Sequence, residues 1–266
     1  MKTPILCTSW KMNLNFDEGL SYARKLADFA KKNLKKDDNL EVIICPDFLI
    51  LSDAMKIFKG TILKVGAQDC FWEDEGSYTG EISPKHLKEI GCRYVFCGHI
   101  ERVRYLKEDD SMINLKVRAC LRNNLKPFVF LVESEKFDDI RGAAAELNNK
   151  IKQYTNGVSE EDLVNIVFIY EPAWAIGAMQ AAPVDYTRRI LQLLRESLGK
   201  QFGKDAAANQ VFMYGGGVTL DSARQILELD NINGIGMGKA GLNYDFITGA
   251  MMVARDIGNS IRQNVI

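Results

Sequence analysis

Val211-Phe212-Met213-Tyr214-Gly215-Gly216-Gly217-Val218-Thr219-Leu220-Asp221 packs a strand, a glycine turn and a helix start into eleven residues. The run 211–214 is apolar without alternation, which is how a strand covered on both faces reads. Thr219 stands at the start of a helix whose apolar side is marked by Ile226, Leu227 and Leu229.

The same unit recurs outward from this stretch. Near-continuous β-rich runs occur at 5–8, 41–45, 62–67, 94–97, 128–132, 166–170 and 234–237, which with 211–214 makes eight. Helical patterns lie between them. Leu20, Leu26, Phe29 and Ala30 support a first helix; Ser83-Pro84 reads as an N-cap followed by proline at the first helical position; Tyr186, Ile190, Leu193, Leu194 and Leu198 share one face. Eight strand–helix alternations in 266 residues, roughly 33 residues per unit, predict a closed (β/α)8 barrel. A doubly wound open sheet is the competing α/β arrangement. No Pro- or Ser-rich linker interrupts residues 1–266, so a single domain is expected. The charged run 31–38 reads as a solvated helix end and turn.

Composition narrows the function. The chain is 47% hydrophobic and 26% charged, which excludes collagen, coiled coil and disorder. Lys+Arg is 34 against Asp+Glu 35, so nothing points to a nucleic-acid or anionic-membrane partner. No run approaches a membrane span, and the apolar stretch at the start is too short for a signal peptide. The six cysteines form no Cys-x-x-Cys pair and read as reduced core thiols of a cytoplasmic protein. With His86 and His99 the only histidines, no His-based metal cluster is expected.

A barrel carries its chemistry at the C-terminal ends of its strands. Ser9-Trp10-Lys11-Met12-Asn13 follows the first strand, and Gly98-His99-Ile100-Glu101-Arg102 the fourth. Glu171-Pro172-Ala173-Trp174 ends the sixth, where the proline holds Glu171 extended at a strand tip. Gly215-Gly216-Gly217 and Gly236-Met237-Gly238-Lys239 close the seventh and eighth, where barrels often bind phosphate on backbone N–H groups. Gly236, Gly238 and Gly241 match a dinucleotide fingerprint, but no second nucleotide-binding half can follow them; Gly238-Lys239 fails as a P-loop because positions 233 and 240 are Asn and Ala. A cation, a neutral imidazole, a carboxylate and an anion cradle together suit an enediol-type isomerisation with no metal or organic cofactor. A non-catalytic phosphate-binding barrel and a Schiff-base aldolase or synthase are the other readings, although Lys11 is not placed for the latter.

Trp10-Lys11-Met12-Asn13, Val65-Gly66-Ala67-Gln68-Asp69, Tyr78-Thr79-Gly80-Glu81-Ile82-Ser83-Pro84, Gly98-His99-x-Glu101-Arg102, Tyr170-Glu171-Pro172-x-Trp174-Ala175-Ile176-Gly177 and Tyr214-Gly215-Gly216 resemble the triosephosphate isomerase family, in order and over nearly the whole chain. The resemblance implies a (β/α)8 TIM barrel and interconversion of dihydroxyacetone phosphate with D-glyceraldehyde 3-phosphate, in glycolysis and gluconeogenesis. It implies Glu171 as base, His99 as neutral electrophile, Lys11 as positive charge beside the enediolate, and Glu101 as the partner that orients Lys11. Gly177, Gly217, Gly238 and Lys239 would offer backbone N–H groups to the phosphate. Pro172, Ala173, Trp174, Ala175, Ile176, Ala178, Met179 and Gln180 would belong to a lid over 172–182. The loop 76–81, with Tyr78 and Thr79, would be the arm of a homodimer.

The chain departs from the family pattern at several positions, of which Ser9 and Lys239 would border the substrate. Ser9 stands where Asn is usual, Ile100 where a Ser follows the catalytic His, and Gly217 where a Ser follows Tyr-Gly-Gly. The lid ends Ala178-Met179-Gln180 instead of Thr-Gly-Lys, and Lys239 replaces a glycine. Ser9 and a basic residue at 239 resemble siblings acting on four-carbon tetrulose phosphates, such as an erythrulose phosphate, with the same catalytic residues.

Overall fold

The computed structural model describes residues 2–175 and 181–263. Eight strands, β1 (Ile5–Ser9), β2 (Glu41–Cys45), β3 (Leu63–Ala67), β4 (Tyr94–Cys97), β5 (Lys126–Glu133), β6 (Val167–Pro172), β7 (Val211–Tyr214) and β8 (Gly234–Met237), pair in parallel in sequence order, and β8 returns to β1 to close the barrel. The α/β expectation therefore holds in its closed form, and the open sheet is excluded.

The surrounding helices are α1 (Phe16–Asn33), α2 (Phe48–Phe58), α3 (Pro84–Glu89), α4 (Ile100–Leu106), α5 (Asp110–Arg122), α6 (Ile140–Tyr154), α7 (Glu160–Leu163), α8 (Val184–Phe202), α9 (Lys204–Asn209), α10 (Leu220–Leu227) and α11 (Tyr244–Gln263). Their starts are chemically marked. Asn15 accepts the Glu18 N–H while the Glu18 side chain accepts the Asn15 N–H, a reciprocal capping box. Thr219 caps α10 in the same way with Ser222, and Ser83 with Pro84 opens α3 as its sequence predicts.

The strands are apolar throughout because they serve two cores. Ile5, Cys7, Ile43, Phe96, Phe128 and Ile169 point into the barrel and pack on one another. Their neighbours Leu6, Val42, Ile44, Val95, Val129 and Phe168 point outward and pack on helix residues such as Leu26, Val117, Leu147 and Leu194. Truncating one of the latter to Ala would cost about 2–5 kcal/mol, the usual range for a buried leucine. Closure also needs a small residue: a Cβ on Gly234 would run into the Ile5 carbonyl oxygen across the β1–β8 seam.

Strand β5 runs beyond the expected 128–132 in both directions. It accommodates Pro127 because the preceding residue, Lys126, carries the N–H bond to Arg93, and it ends on Glu133, beside Pro172 of β6.

Candidate active site

The C-terminal ends of the strands surround a cavity of about 270 Å3. Ser9, Lys11, His99, Glu171, Gly217, Gly238 and Lys239 all line it. Residues from the ends of β1, β4, β6, β7 and β8 are thus brought to one space, as the barrel geometry requires. A wider open groove lies at the opposite end, where Leu63 and Arg93 begin β3 and precede β4, and no carboxylate lines it.

Lys11 follows β1 in a left-handed conformation, φ 50°, which is costly for a residue with a side chain. Three bonds hold it there. Its N–H donates to Ser9 Oγ at 3.3 Å, its carbonyl accepts from Gln68 Nε2 at 3.1 Å, and its Nζ lies 2.6 Å from Glu101 Oε1. Gln68 also donates to the Cys45 carbonyl at 3.1 Å, so one amide ties the ends of β2 and β3 to the Lys11 turn.

His99 caps α4. Its Nδ1 accepts the Glu101 N–H at 3.3 Å, which makes Nδ1 the unprotonated nitrogen and leaves the proton on Nε2. Its ring lies parallel to Phe96 and edge-on to Phe130, with centroids 6.1 and 4.8 Å away. Burial pulls the imidazole down to about 4, reinforced by Lys11 and opposed by Glu101 and Glu108. The ring is therefore neutral at pH 7.

Glu171 sits on β6 opposite Val132 of β5 and is only 6% exposed. Burial pushes its carboxyl up to about 8, against the pull of Lys11 and with a further push from Glu101. Its Oε2 has no hydrogen-bond partner among the described residues. Ile100, which replaces a hydroxyl-bearing residue of the family pattern, instead packs on the inner apolar cluster of the barrel. A desolvated carboxylate with a free lone pair, facing a neutral N–H donor and an ammonium, can remove a proton from carbon while the donors take up the charge on oxygen.

On the cradle side, space explains Gly215 and Gly216, where a Cβ would run into Ile169 and Tyr214. A Cβ on Gly215 would stand 2.7 Å from Ile169 Cγ2, whereas one on Gly238 would make only an ordinary contact with Lys11 at 3.5 Å. Gly177, Ile176, Ala178, Met179 and Gln180 lie outside the described residues. Pro172 ends β6, and Ala173–Ala175 form one 3-10 turn. The N–H of Ala182 donates to Tyr214 Oη at 2.8 Å. Tyr78 packs on Phe71, with ring centroids 4.5 Å apart, and Thr79 is exposed.

Several participants have partners that the sequence reading does not give. Gln68 is one. Another is Glu133 at the end of β5, 1% exposed, which accepts from the Tyr170 hydroxyl and from Tyr186 Oη at 2.6 Å. A third is a buried charge network under α4: Asp69 pairs with Arg102 at 2.8 Å and Lys116 at 2.6 Å, and Glu108 pairs with Arg102 at 2.8 Å and Lys116 at 3.1 Å. Burial holds Asp69 up, at about 6, against the two cations. Strand-end logic points to Gln68 and Glu133 equally well, since each follows an expected strand run; which partners they meet depends on segments far away in sequence.

Residues 4–253 match the family model of triosephosphate isomerase. The chain belongs to the triosephosphate isomerase family. It is similar to a triosephosphate isomerase of Thermoanaerobacter pseudethanolicus, 36% identical over 242 residues, or 91% of this chain and 96% of that protein. The counterpart from Caldanaerobacter subterraneus subsp. tengcongensis is 36% identical over 98% of this chain and 99% of its own length. One from Fusobacterium nucleatum is 36% identical over 92% and 96%. Membership in the triosephosphate isomerase family agrees with the closed barrel and with the strand ends that converge on the cavity.

Proposed function

We propose that this chain is a single-domain triosephosphate isomerase, interconverting dihydroxyacetone phosphate and D-glyceraldehyde 3-phosphate by proton transfer through an enediolate. Glu171 takes a proton from the carbon beside the carbonyl. The released electron pair forms the carbon–carbon double bond, and the carbonyl oxygen takes the negative charge. His99 Nε2–H and the Lys11 ammonium stabilise that oxygen, the proton of the neighbouring hydroxyl passes to it so that the hydroxyl oxygen becomes the new carbonyl, and Glu171 returns its proton to the former carbonyl carbon. Backbone N–H groups of Gly177, Gly217, Gly238 and Lys239 hold the phosphate. Residues 172–182 act as the lid that keeps water from the intermediate.

The observation that carries this reading is the opposite tuning of two groups on one cavity: a carboxyl raised to about 8 beside an imidazole lowered to about 4. No cofactor is required by that chemistry. The protein works as a homodimer through the arm 76–81, a reading supported by the exposed apolar Met12, Leu49 and Tyr78. Six buried free cysteines suit a reducing cytoplasm.

Ser9 and Lys239 on the cavity wall favour a second substrate class, a four-carbon tetrulose phosphate isomerised by the same residues. A side-by-side assay decides. Turnover of triose phosphates well above that of D- and L-erythrulose phosphates is expected, and the reverse ranking would move the assignment to the four-carbon class.

A further inference from the structure

The carboxylate of Glu171 is followed by Pro172 and then by the 3-10 turn Ala173–Ala175. The pairing of β6 with β5 ends at Pro172, opposite Glu133, so the sheet no longer holds the chain beyond that residue. The turn is anchored by buried Ala175 and by the indole of Trp174. Its ring meets Tyr186 of α8 edge-on, centroids 5.8 Å apart, and Tyr186 is itself tied to Glu133 at 2.6 Å. The indole Nε1 is buried and has no hydrogen-bond partner among the described residues. The ring is therefore oriented by its faces and edges, not by its N–H.

A cation lies over that ring. Lys136, exposed in the loop after β5, places Nζ 5.4 Å from the Trp174 ring centroid. Among the described residues no carboxylate stands within ion-pair distance of Lys136, so the indole is its electrostatic partner. This is cation–π geometry, which favours one ring orientation by attraction to the negative face.

We infer that Lys136 is a positioning residue for the base: its ammonium over the Trp174 face sets the turn that leaves Glu171, and so the frame from which that carboxylate works. The inference rests on the proposed isomerase reading for its kinetic consequence, but the Lys136–Trp174 contact itself has a readout that needs no substrate. Lys136 touches no reacting atom, so its effect falls on kcat and leaves KM little changed. Arg stacks on an indole as Lys does, so Lys136→Arg retains the function, whereas Lys136→Met keeps the alkyl stem and removes the charge.

The test is a double-mutant cycle of Lys136→Met with Trp174→Leu, alongside Lys136→Arg. Wild-type turnover tests the isomerase reading; the ratios among variants test Lys136. Lys136→Met is expected to lower kcat about three-fold, the scale of an exposed cation–π contact, with Lys136→Arg near wild type and no further loss on adding Lys136→Met to Trp174→Leu. The Trp174 emission, taken as the difference between each Lys136 form and its Trp174→Leu counterpart, should shift in Lys136→Met and not in Lys136→Arg. Unchanged kcat and emission in Lys136→Met, or an equal loss in the Trp174→Leu background, would overturn the inference.

Discussion

Lys11 and Glu101, ninety residues apart in sequence, meet at 2.6 Å on the rim of the cavity. The same Glu101 donates its backbone N–H to His99 Nδ1. One residue thus holds the ammonium with its side chain and the imidazole tautomer with its main chain. Both ends of the Lys11–Glu101 pair are partly exposed, 31% and 44%, so its contribution to stability is small, at most about 1 kcal/mol.

Glu101→Gln should therefore separate activity from stability. A loss of kcat/KM on the order of ten-fold is expected from the released Lys11 ammonium. The thermal midpoint should move by no more than about 4 °C. Kinetics and calorimetry on one preparation check both; unchanged turnover would remove the orienting role of Glu101.

The raised pKa of Glu171 gives it a double signature in pH. The base must be ionised to work, so kcat/KM should rise with pH up to about 8, the value to which burial pushes it. For stability the sign is opposite. The folded value exceeds the ordinary one of 4.5, so the native state binds more protons than the unfolded chain between 4.5 and 8. Relative to Glu171→Gln, the wild type should lose stability as pH rises through that window and hold a constant gap above it. Melting curves of the two proteins across pH 4–9 check this.

His99 should remain neutral well below its ordinary range. Burial takes its value from 6.5 to about 4, so its native-state cost appears as pH falls from 6.5 through 4, when the unfolded chain protonates first. Nitrogen NMR should show the Nε2–H tautomer at pH 7 and no titration above about 5. An imidazolium at pH 6 would contradict the electrophile assigned to it.

The barrel is legible in the sequence because each strand feeds two cores and so shows no polar gap: the runs ending at Cys45, Cys97, Tyr214 and Met237 are the strands found. Leu20 and Phe29 of the expected first helix face prove only partly buried, because smaller residues, Gly19, Ala23 and Ala27, take the closest contacts. Lys11, His99 and Glu171 are legible because each stands just past an apolar run. The left-handed turn at Lys11 is not, since Gln68 and Ser9 impose it through space. Nor is the charge network of Asp69, Arg102, Glu108 and Lys116, whose four members come from three separate segments and meet only in the fold.

Glu133 joins β5, β6 and α8 through two tyrosine hydroxyls. Glu133→Leu leaves the buried Tyr170 hydroxyl without its acceptor, at a cost of about 1–3 kcal/mol. Tyr170→Phe in that background should recover part of the loss, since both partners are then apolar. Denaturant midpoints of the single and double variants check the prediction, and no recovery would mean that the carboxylate is valued for something other than those hydroxyls.

Solvent deuterium exchange tests the proton transfer most directly. In heavy water the wild type should place deuterium on the substrate carbon beside the carbonyl while isomerising dihydroxyacetone phosphate, and Glu171→Gln, folded and with His99 and Lys11 intact, should do neither at more than a trace of the wild-type rate. Glu171→Gln that still exchanges and turns over near the wild-type rate would contradict the assignment of Glu171 as the base.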